Sequence, residues 1–163
     1  MYRIGFGNDV HRLEAGKPLV LGGVRIESDL GAVGHSDADA LLHAVTDAVL
    51  GAAAIGDIGS HFSDQDARWK GADSFIFLAE AAGLIKAKNF TVANVDSTID
   101  LETPKLRPFI HEMRENIARA LEIDVSCVSV KAKTGERVDA VGERRAVRAE
   151  AIVLIEEISG AGE

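Results

Sequence analysis

Asp9 and His11 stand two residues apart in the segment Gly7-Asn8-Asp9-Val10-His11, and His43 closes the later run Gly34-His35-Ser36-Asp37-Ala38-Asp39-Ala40-Leu41-Leu42-His43. On extended backbone, residues two apart point to the same face, so Asp9 and His11 can act together. His43 falls in an apolar-periodic stretch that reads as helix. One carboxylate and two imidazoles fit a zinc site with an open fourth position, the catalytic rather than the structural pattern. An open zinc site positions or polarises a substrate oxygen. The plainer alternative is a surface Asp and His just past a strand end, where functional loops also sit.

Other residues could complete such a site. His35-Ser36 falls at an expected helix N-terminus, where N–H groups, a hydroxyl and an imidazole suit a phosphate oxygen. Ser36 would equally serve as a plain cap. Asp39, His43 and Asp47 are spaced by four and share a helix face. A carboxylate one turn from a zinc-bound His can orient the imidazole; the alternative is a solvated polar stripe. Asp57 and Gly59, in Gly56-Asp57-Ile58-Gly59, could meet a polyol or simply form a helix C-cap and turn. Asp64 and Asp66 lie in an acidic loop. Lys131-Ala132-Lys133-Thr134-Gly135-Glu136 ends a strand. There Lys133 and Thr134 could meet phosphates and Glu136 a hard cation such as Mg²⁺, or the segment is an ordinary strand end.

These groups need elements to hold them. Tyr2 to Phe6 reads as a strand closed by Gly5 and Gly7. Residues 18–26 read as a hairpin turning at Gly22-Gly23. Ser36 or Asp37 is expected to cap a helix running to about Ala54, and Asp73 or Ser74 a second helix to about Ile85. Thr91 to Ile99 alternates as a strand. Thr103-Pro104 is expected to open a third helix ending near Leu121. Val128 to Lys133 reads as a strand, residues 134–143 as a loop, and Ala146 to Ile158 as a last strand, since Val147, Ile152, Val153 and Ile155 outweigh its helix-compatible residues. The predicted fold class is α+β, an α/β sandwich with a mixed β-sheet and helices packed on one face.

The 163 residues suit a single domain spanning 1–163, with no repeat or linker. A formal net charge of −8 argues against binding nucleic acid or an anionic membrane. A basic pocket for a phosphorylated small molecule remains compatible with it. Cys127 is the one cysteine, which excludes an intrachain disulfide and a Cys-rich zinc site. No apolar run is long enough to span a bilayer, and residues 1–6 lack a signal-peptide pattern. A cytoplasmic protein is expected, or a plastid stromal one if the source is a plant or alga.

Taken together, these motifs resemble the 2-C-methyl-D-erythritol 2,4-cyclodiphosphate synthase family of the non-mevalonate isoprenoid pathway. The resemblance covers nearly the whole chain. It rests on Gly7-x-Asp9-x-His11, Gly22-Gly23-Val24-x-Ile26, His35-Ser36-Asp37-Ala38-Asp39, His43-Ala44-x-Thr46-Asp47-Ala48 and Gly56-Asp57-Ile58-Gly59. Phe62-x-Asp64-x-Asp66, Lys70-Gly71-Ala72-Asp73-Ser74 and Asn94-Val95-Asp96 continue it. It implies a homotrimer with sites between subunits, and zinc on Asp9, His11 and His43. It implies Mg²⁺ or Mn²⁺ at the diphosphate, with Glu136 as ligand. His35 and Ser36 would contact phosphate; Asp57, Gly59 and Asp64 the methylerythritol part. Residues 103–107, including Pro104, Lys105 and Leu106, with Ala132, Lys133 and Thr134, would form the cytidine pocket from the neighbouring subunit. Glu136, Lys133 and Thr134 would serve catalysis.

The implied reaction takes 4-diphosphocytidyl-2-C-methyl-D-erythritol 2-phosphate to the cyclic diphosphate and CMP. A phosphate nucleophile needs no strong base, so positioning and charge neutralisation would dominate. Two rival readings remain: a zinc phosphohydrolase that activates water, and a noncatalytic trimeric metal-binding scaffold. The resemblance departs at residues 133–145. Ala140 and Glu143 stand where some members carry an aromatic and an Arg lining the trimer axis. Binding of an isoprenoid diphosphate along that axis is therefore not expected.

Overall fold

Residues 1–63 and 65–158 are described by a computed structural model. Strand β1 runs from Tyr2 to Ala15, followed by the short strands β2 (Leu19–Leu21), β3 (Val24–Ile26) and β4 (Leu30–Val33). Helices α1 (Ala40–Ala52), α2 (Ile58–His61) and α3 (Ser74–Lys86) come next, then β5 (Phe90–Asp100) and α4 (Ile110–Leu121). Strand β6 (Val128–Lys133), the single turn α5 (Asp139–Gly142) and β7 (Ala146–Glu157) complete the order. The main sheet has the strand order β4-β1-β7-β5-β6. Among the described residues only β5 and β6 pair in parallel, so the sheet is mixed. The predicted hairpin forms as a separate two-stranded sheet, with Gly22 and Gly23 at φ 60° and 71° in its turn.

Alternation decides which face is dry. Along β7, Val147, Ala149, Ala151, Val153 and Ile155 are buried, while Glu150 and Ile152 between them are exposed. This period of two settles the last segment as strand. The buried face packs on α1, whose buried residues surround most of its circumference, including Leu41, Leu42, Val45, Val49 and Leu50. Helices α3 and α4 extend the same layer. The predicted α+β sandwich with helices on one face is the observed architecture.

Several element ends differ from expectation, each for a local reason. Gly5 and Gly7 do not close the first strand. They let the α1 backbone approach: a Cβ on Gly7 would lie 2.1 Å from the Ala44 carbonyl oxygen, and one on Gly5 1.9 Å from that of Ala48. The strand therefore continues to Ala15, and Asp9 and His11 lie within it instead of beyond its end. The cap of α1 is Asp39, not Ser36 or Asp37. The third long helix opens at Ile110, not Thr103, after a 3₁₀ turn at Arg107–Phe109. Short helical turns sit where a helix C-cap and turn were expected, as α2, and inside the expected loop 134–143, as α5. Gly7→Ala is expected to destabilise the fold by about 1–3 kcal/mol through forced overpacking. A chemical denaturation midpoint would check it, and an unchanged midpoint would mean α1 is not held at this distance.

Candidate metal site and ligand pocket

Strand β1 and helix α1 bring the three predicted metal ligands together. The Oδ2 of Asp9 lies 2.8 Å from His11 Nε2 and 2.9 Å from His43 Nδ1, and the two imidazole nitrogens are 3.2 Å apart. These atoms, all within 4.8 Å of one another, are the group among the described residues able to hold a metal ion. Their side chains are 12–26% exposed, so the group is sheltered but open on one side. A carboxylate and two imidazoles suit zinc and related divalent ions and leave coordination free for substrate.

The electrostatics agree with that use. Burial opposes the charge on Asp9, but hydrogen bonds from His11 and His43 outweigh it and hold the carboxyl well below the usual carboxylate range. Burial also opposes charge on His11, yet the hydrogen bond to Asp9 outweighs it and raises the imidazole. The ring of His11 is aimed from behind: its Nδ1 is 3.0 Å from the Val33 carbonyl oxygen, which can only accept. Nδ1 therefore carries a proton, and Nε2, which hydrogen-bonds Asp9 in the metal-free group, is the nitrogen a metal ion would take.

Of the two alternatives read for Asp39 and Asp47, neither residue hydrogen-bonds His43 to orient it, and Asp39 is not solvated either. Asp39 is fully buried and accepts backbone N–H groups of Gly22, Gly23 and Leu42. Asp47 accepts the Ile58 N–H at 2.7 Å, tethering α2 to α1. Burial raises the Asp47 carboxyl against that hydrogen bond. The groups facing His43 Nε2 are instead the hydroxyls of Ser74 at 2.8 Å and Ser36 at 3.1 Å.

His35 and Ser36 line a pocket of about 340 Å³ with His11, His43, Gly59 and an apolar wall. They precede the first residue of α1, Ala40, by four or five positions and are not its cap. Sequence reasoning missed the wall, which is Ile58, Phe62, Trp69 and Phe77. Phe62 and Phe77 stack with centroids 4.8 Å apart, and Trp69 meets both edge-on at 5.5 Å. In a chain with one Trp and six Phe, their clustering within residues 62–77 was the available signal. Such a wall lowers the local dielectric and strengthens charge interactions at the metal group. Asp57 is not among the lining residues; it accepts Ser60 N–H and hydroxyl at 2.8 and 2.6 Å as the cap of α2. Asp64 lies outside the described residues.

The remaining predicted residues gather elsewhere in the chain. Pro104, Lys105, Leu106, Ala132, Lys133 and Thr134 line a separate cavity of about 140 Å³. Glu102 accepts the Gly135 N–H at 3.0 Å and so ties the late loop to that segment. Thr134 donates to Glu136 at 2.8 Å, and Glu136 is exposed. Asp9, Ala149, Ile99 and Ala132 form one row across the sheet. Three strand spacings, about 14 Å, therefore separate the metal group from this second cluster within one chain.

The fold and the site define an α+β protein with a three-residue group able to hold a metal ion and a pocket built onto it. Comparison with known proteins narrows that class. Residues 2–156 match the YgbB family. The chain is 54% identical over 154 residues to 2-C-methyl-D-erythritol 2,4-cyclodiphosphate synthase of Solibacter usitatus, covering 94% of this chain and 97% of that one. It is 55% identical over 155 residues to the synthase of the same name from Chromobacterium violaceum, covering 95% and 98%. A solved structure of such a synthase in a CDP-bound form superposes with a TM-score of 0.87 at 40% identity, covering 94% of this chain and all of that one. The chain belongs to the YgbB family, that of the 2-C-methyl-D-erythritol 2,4-cyclodiphosphate synthases.

Proposed function

We infer that this chain converts 4-diphosphocytidyl-2-C-methyl-D-erythritol 2-phosphate to 2-C-methyl-D-erythritol 2,4-cyclodiphosphate and CMP, a step of non-mevalonate isoprenoid biosynthesis. It is a CMP-releasing phosphorus–oxygen lyase. The observation that carries the reading is the open Asp9–His11–His43 group at the head of a pocket that also presents His35 and Ser36. An oxygen of the 2-phosphate attacks the β-phosphorus, the bond to the α-phosphate oxygen breaks, and CMP leaves with the electron pair. No proton abstraction from a weak acid is needed.

The donor set fits zinc, held by Asp9, His11 and His43. When bound, zinc supplies charge neutralisation at a phosphate oxygen. His35 and Ser36 orient the same phosphate from the pocket rim. The family reading assigns Asp57, Gly59 and Asp64 to contact with the methylerythritol part. Glu136 supplies the oxygen ligand for Mg²⁺ or Mn²⁺, and Lys133 and Thr134 bind the diphosphate. Pro104, Lys105, Leu106 and Ala132 hold the cytidine. Solved relatives described as CDP complexes, including one from Plasmodium falciparum, support a cytidine nucleotide ligand.

The two clusters stand about 14 Å apart in one chain, and the reading brings a neighbouring subunit's second cluster to each metal group, in a homotrimer whose sites span two subunits. The uncovered sheet face supports assembly. Tyr2, Ile4, Phe6, Val10 and Ile152 are each more than half exposed there, and contiguous exposed apolar side chains of this kind mark protein–protein contacts. No described helix is long and apolar enough to cross a membrane, and we place the protein in the cytoplasm, or in plastid stroma for a plant or algal source.

One experiment tests the whole reading. The purified protein is sized by light scattering, then incubated with the cytidyl substrate, zinc and Mg²⁺ while phosphorus NMR follows the products. Three chain masses and equal amounts of CMP and cyclic diphosphate are expected. A linear product or inorganic phosphate would replace the reading with hydrolysis, and a monomer with full activity would remove the shared site.

A further inference from the structure

We propose that Ser74, backed by Asp37, is the positioning residue that fixes the His43 tautomer and points its Nδ1 at the metal group. The proposal deepens the zinc reading above and rests on it. Ser74 is the first residue of α3 and is fully buried. Its hydroxyl lies 2.8 Å from His43 Nε2 and also contacts the Asp37 carboxylate. Asp37 additionally accepts the Ser74 backbone N–H at 2.9 Å, so the carboxylate is anchored against the same residue twice. Backbone bonds from Asp37 N–H to Ala72 and from Gly71 N–H to His35 lace the two segments together.

Proton accounting makes this chain directional. A hydroxyl has one proton to give. An ionised carboxylate can only accept, so Ser74 gives its proton to Asp37. Toward His43 it can then only accept, which puts the imidazole proton on Nε2. That leaves the Nδ1 lone pair for a metal ion, which would take the place of the proton His43 shares with Asp9 Oδ2 in the metal-free group, and Nδ1 is the nitrogen that faces Asp9 Oδ2 and His11 Nε2. A buried hydroxyl with a carboxylate behind it does for His43 what the Val33 carbonyl does for His11.

Ser36 is the competing partner, at 3.1 Å from the same nitrogen. Its hydroxyl accepts a long 3.4 Å bond from the Ala38 N–H and has no carboxylate behind it among its hydrogen bonds. It imposes no tautomer. With Ser74 holding the ring, the Ser36 hydroxyl is released to meet a substrate oxygen in the pocket it lines. The division of labour assigns metal affinity to Ser74 and substrate affinity to Ser36.

The test titrates zinc into the full-length wild type, Ser74→Ala, Ser74→Thr, Asp37→Asn and Ser36→Ala, by competition with a chromophoric chelator. Visible spectra of the cobalt-substituted proteins and melting temperatures of the metal-free proteins are recorded alongside. Ser74→Ala is expected to weaken zinc binding by about 10–100-fold, the usual loss for a partner behind a metal ligand, and to move the cobalt bands. Ser74→Thr keeps the hydroxyl and should restore affinity to near wild type. Asp37→Asn should weaken binding in the same way, since an amide facing Ser74 can reverse the hydroxyl. Ser36→Ala should leave zinc affinity near wild type.

Wild-type zinc affinity and cobalt bands in Ser74→Ala, with only a lowered melting temperature, would overturn the proposal as a purely structural role. So would a larger zinc loss in Ser36→Ala than in Ser74→Ala. If Ser74→Ala does not fold, unchanged zinc affinity in Asp37→Asn overturns it and a loss sustains it. Absence of zinc binding in the wild type would overturn the metal reading and this proposal together.

Discussion

His43→Ala is expected to abolish tight zinc binding and to cut turnover by at least about a thousandfold, roughly 4 kcal/mol of lost transition-state stabilisation. The fold should survive. His43 faces the pocket and not the centre of the apolar core. The rest of α1 buries Leu41, Leu42, Val45, Val49 and Leu50, and these are untouched by the change. An alanine also suits a helix interior better than histidine. Far-UV circular dichroism should match the wild type while zinc titration and product formation fail. Near wild-type, zinc-dependent turnover in this variant would remove His43 from the site.

Asp39→Ala should have the largest effect on stability, a loss of about 3–5 kcal/mol. One carboxylate holds three backbone donors: Oδ1 accepts Gly22 and Leu42 N–H at 2.9 and 3.0 Å, and Oδ2 accepts Gly23 N–H at 2.7 Å. Removing it leaves buried donors unpaired, at about 1–3 kcal/mol each, and deletes the cap of α1. It also frees the β2–β3 turn from the helix that carries His43, so metal affinity should fall as well. Urea denaturation reads the stability, and a loss below about 1 kcal/mol would show that water or a neighbour replaces the carboxylate.

Asp39 also gives the pH dependence a sign. Burial pushes its carboxyl up to about 6 from the ordinary 3.8, against the pull of its three N–H partners. The native state therefore binds more protons than the unfolded chain between those values. The contribution is present at low pH and lost as pH rises through about 6. Lowering pH from 7 to 5 should stabilise the wild type relative to Asp39→Asn, which does not titrate.

The two-residue spacing of Asp9 and His11 was legible because strand geometry alone puts i and i+2 on one face. That inference held even though the strand proved longer than expected. Gly5 and Gly7 read as punctuation, since glycine interrupts strands locally more often than it lets a helix approach. The reason for these two glycines lies in the Ala44 and Ala48 carbonyls, some forty residues away. The cap of α1 was misplaced for a similar cause. Ser36, Asp37 and Asp39 are all good caps by type, and the choice among them was made by the Gly22-Gly23 turn, which supplies two of Asp39's donors.

By itself, the sequence determined the ligand types, the apolar stripe of α1 and the alternation of β7. It also determined the composition that excludes an intrachain disulfide and Cys-rich zinc. These are properties of residue identity and local period, and they need no partner across the fold. Only the tertiary structure decided which group stands behind each imidazole. It passed over Asp39 and Asp47, one helical turn from His43, and used Ser74 from another helix and the Val33 carbonyl from a neighbouring strand. Hydrogen bonds are short and directional, so angstrom-scale placement of distant segments selects the partner, and spacing along the chain does not encode that placement.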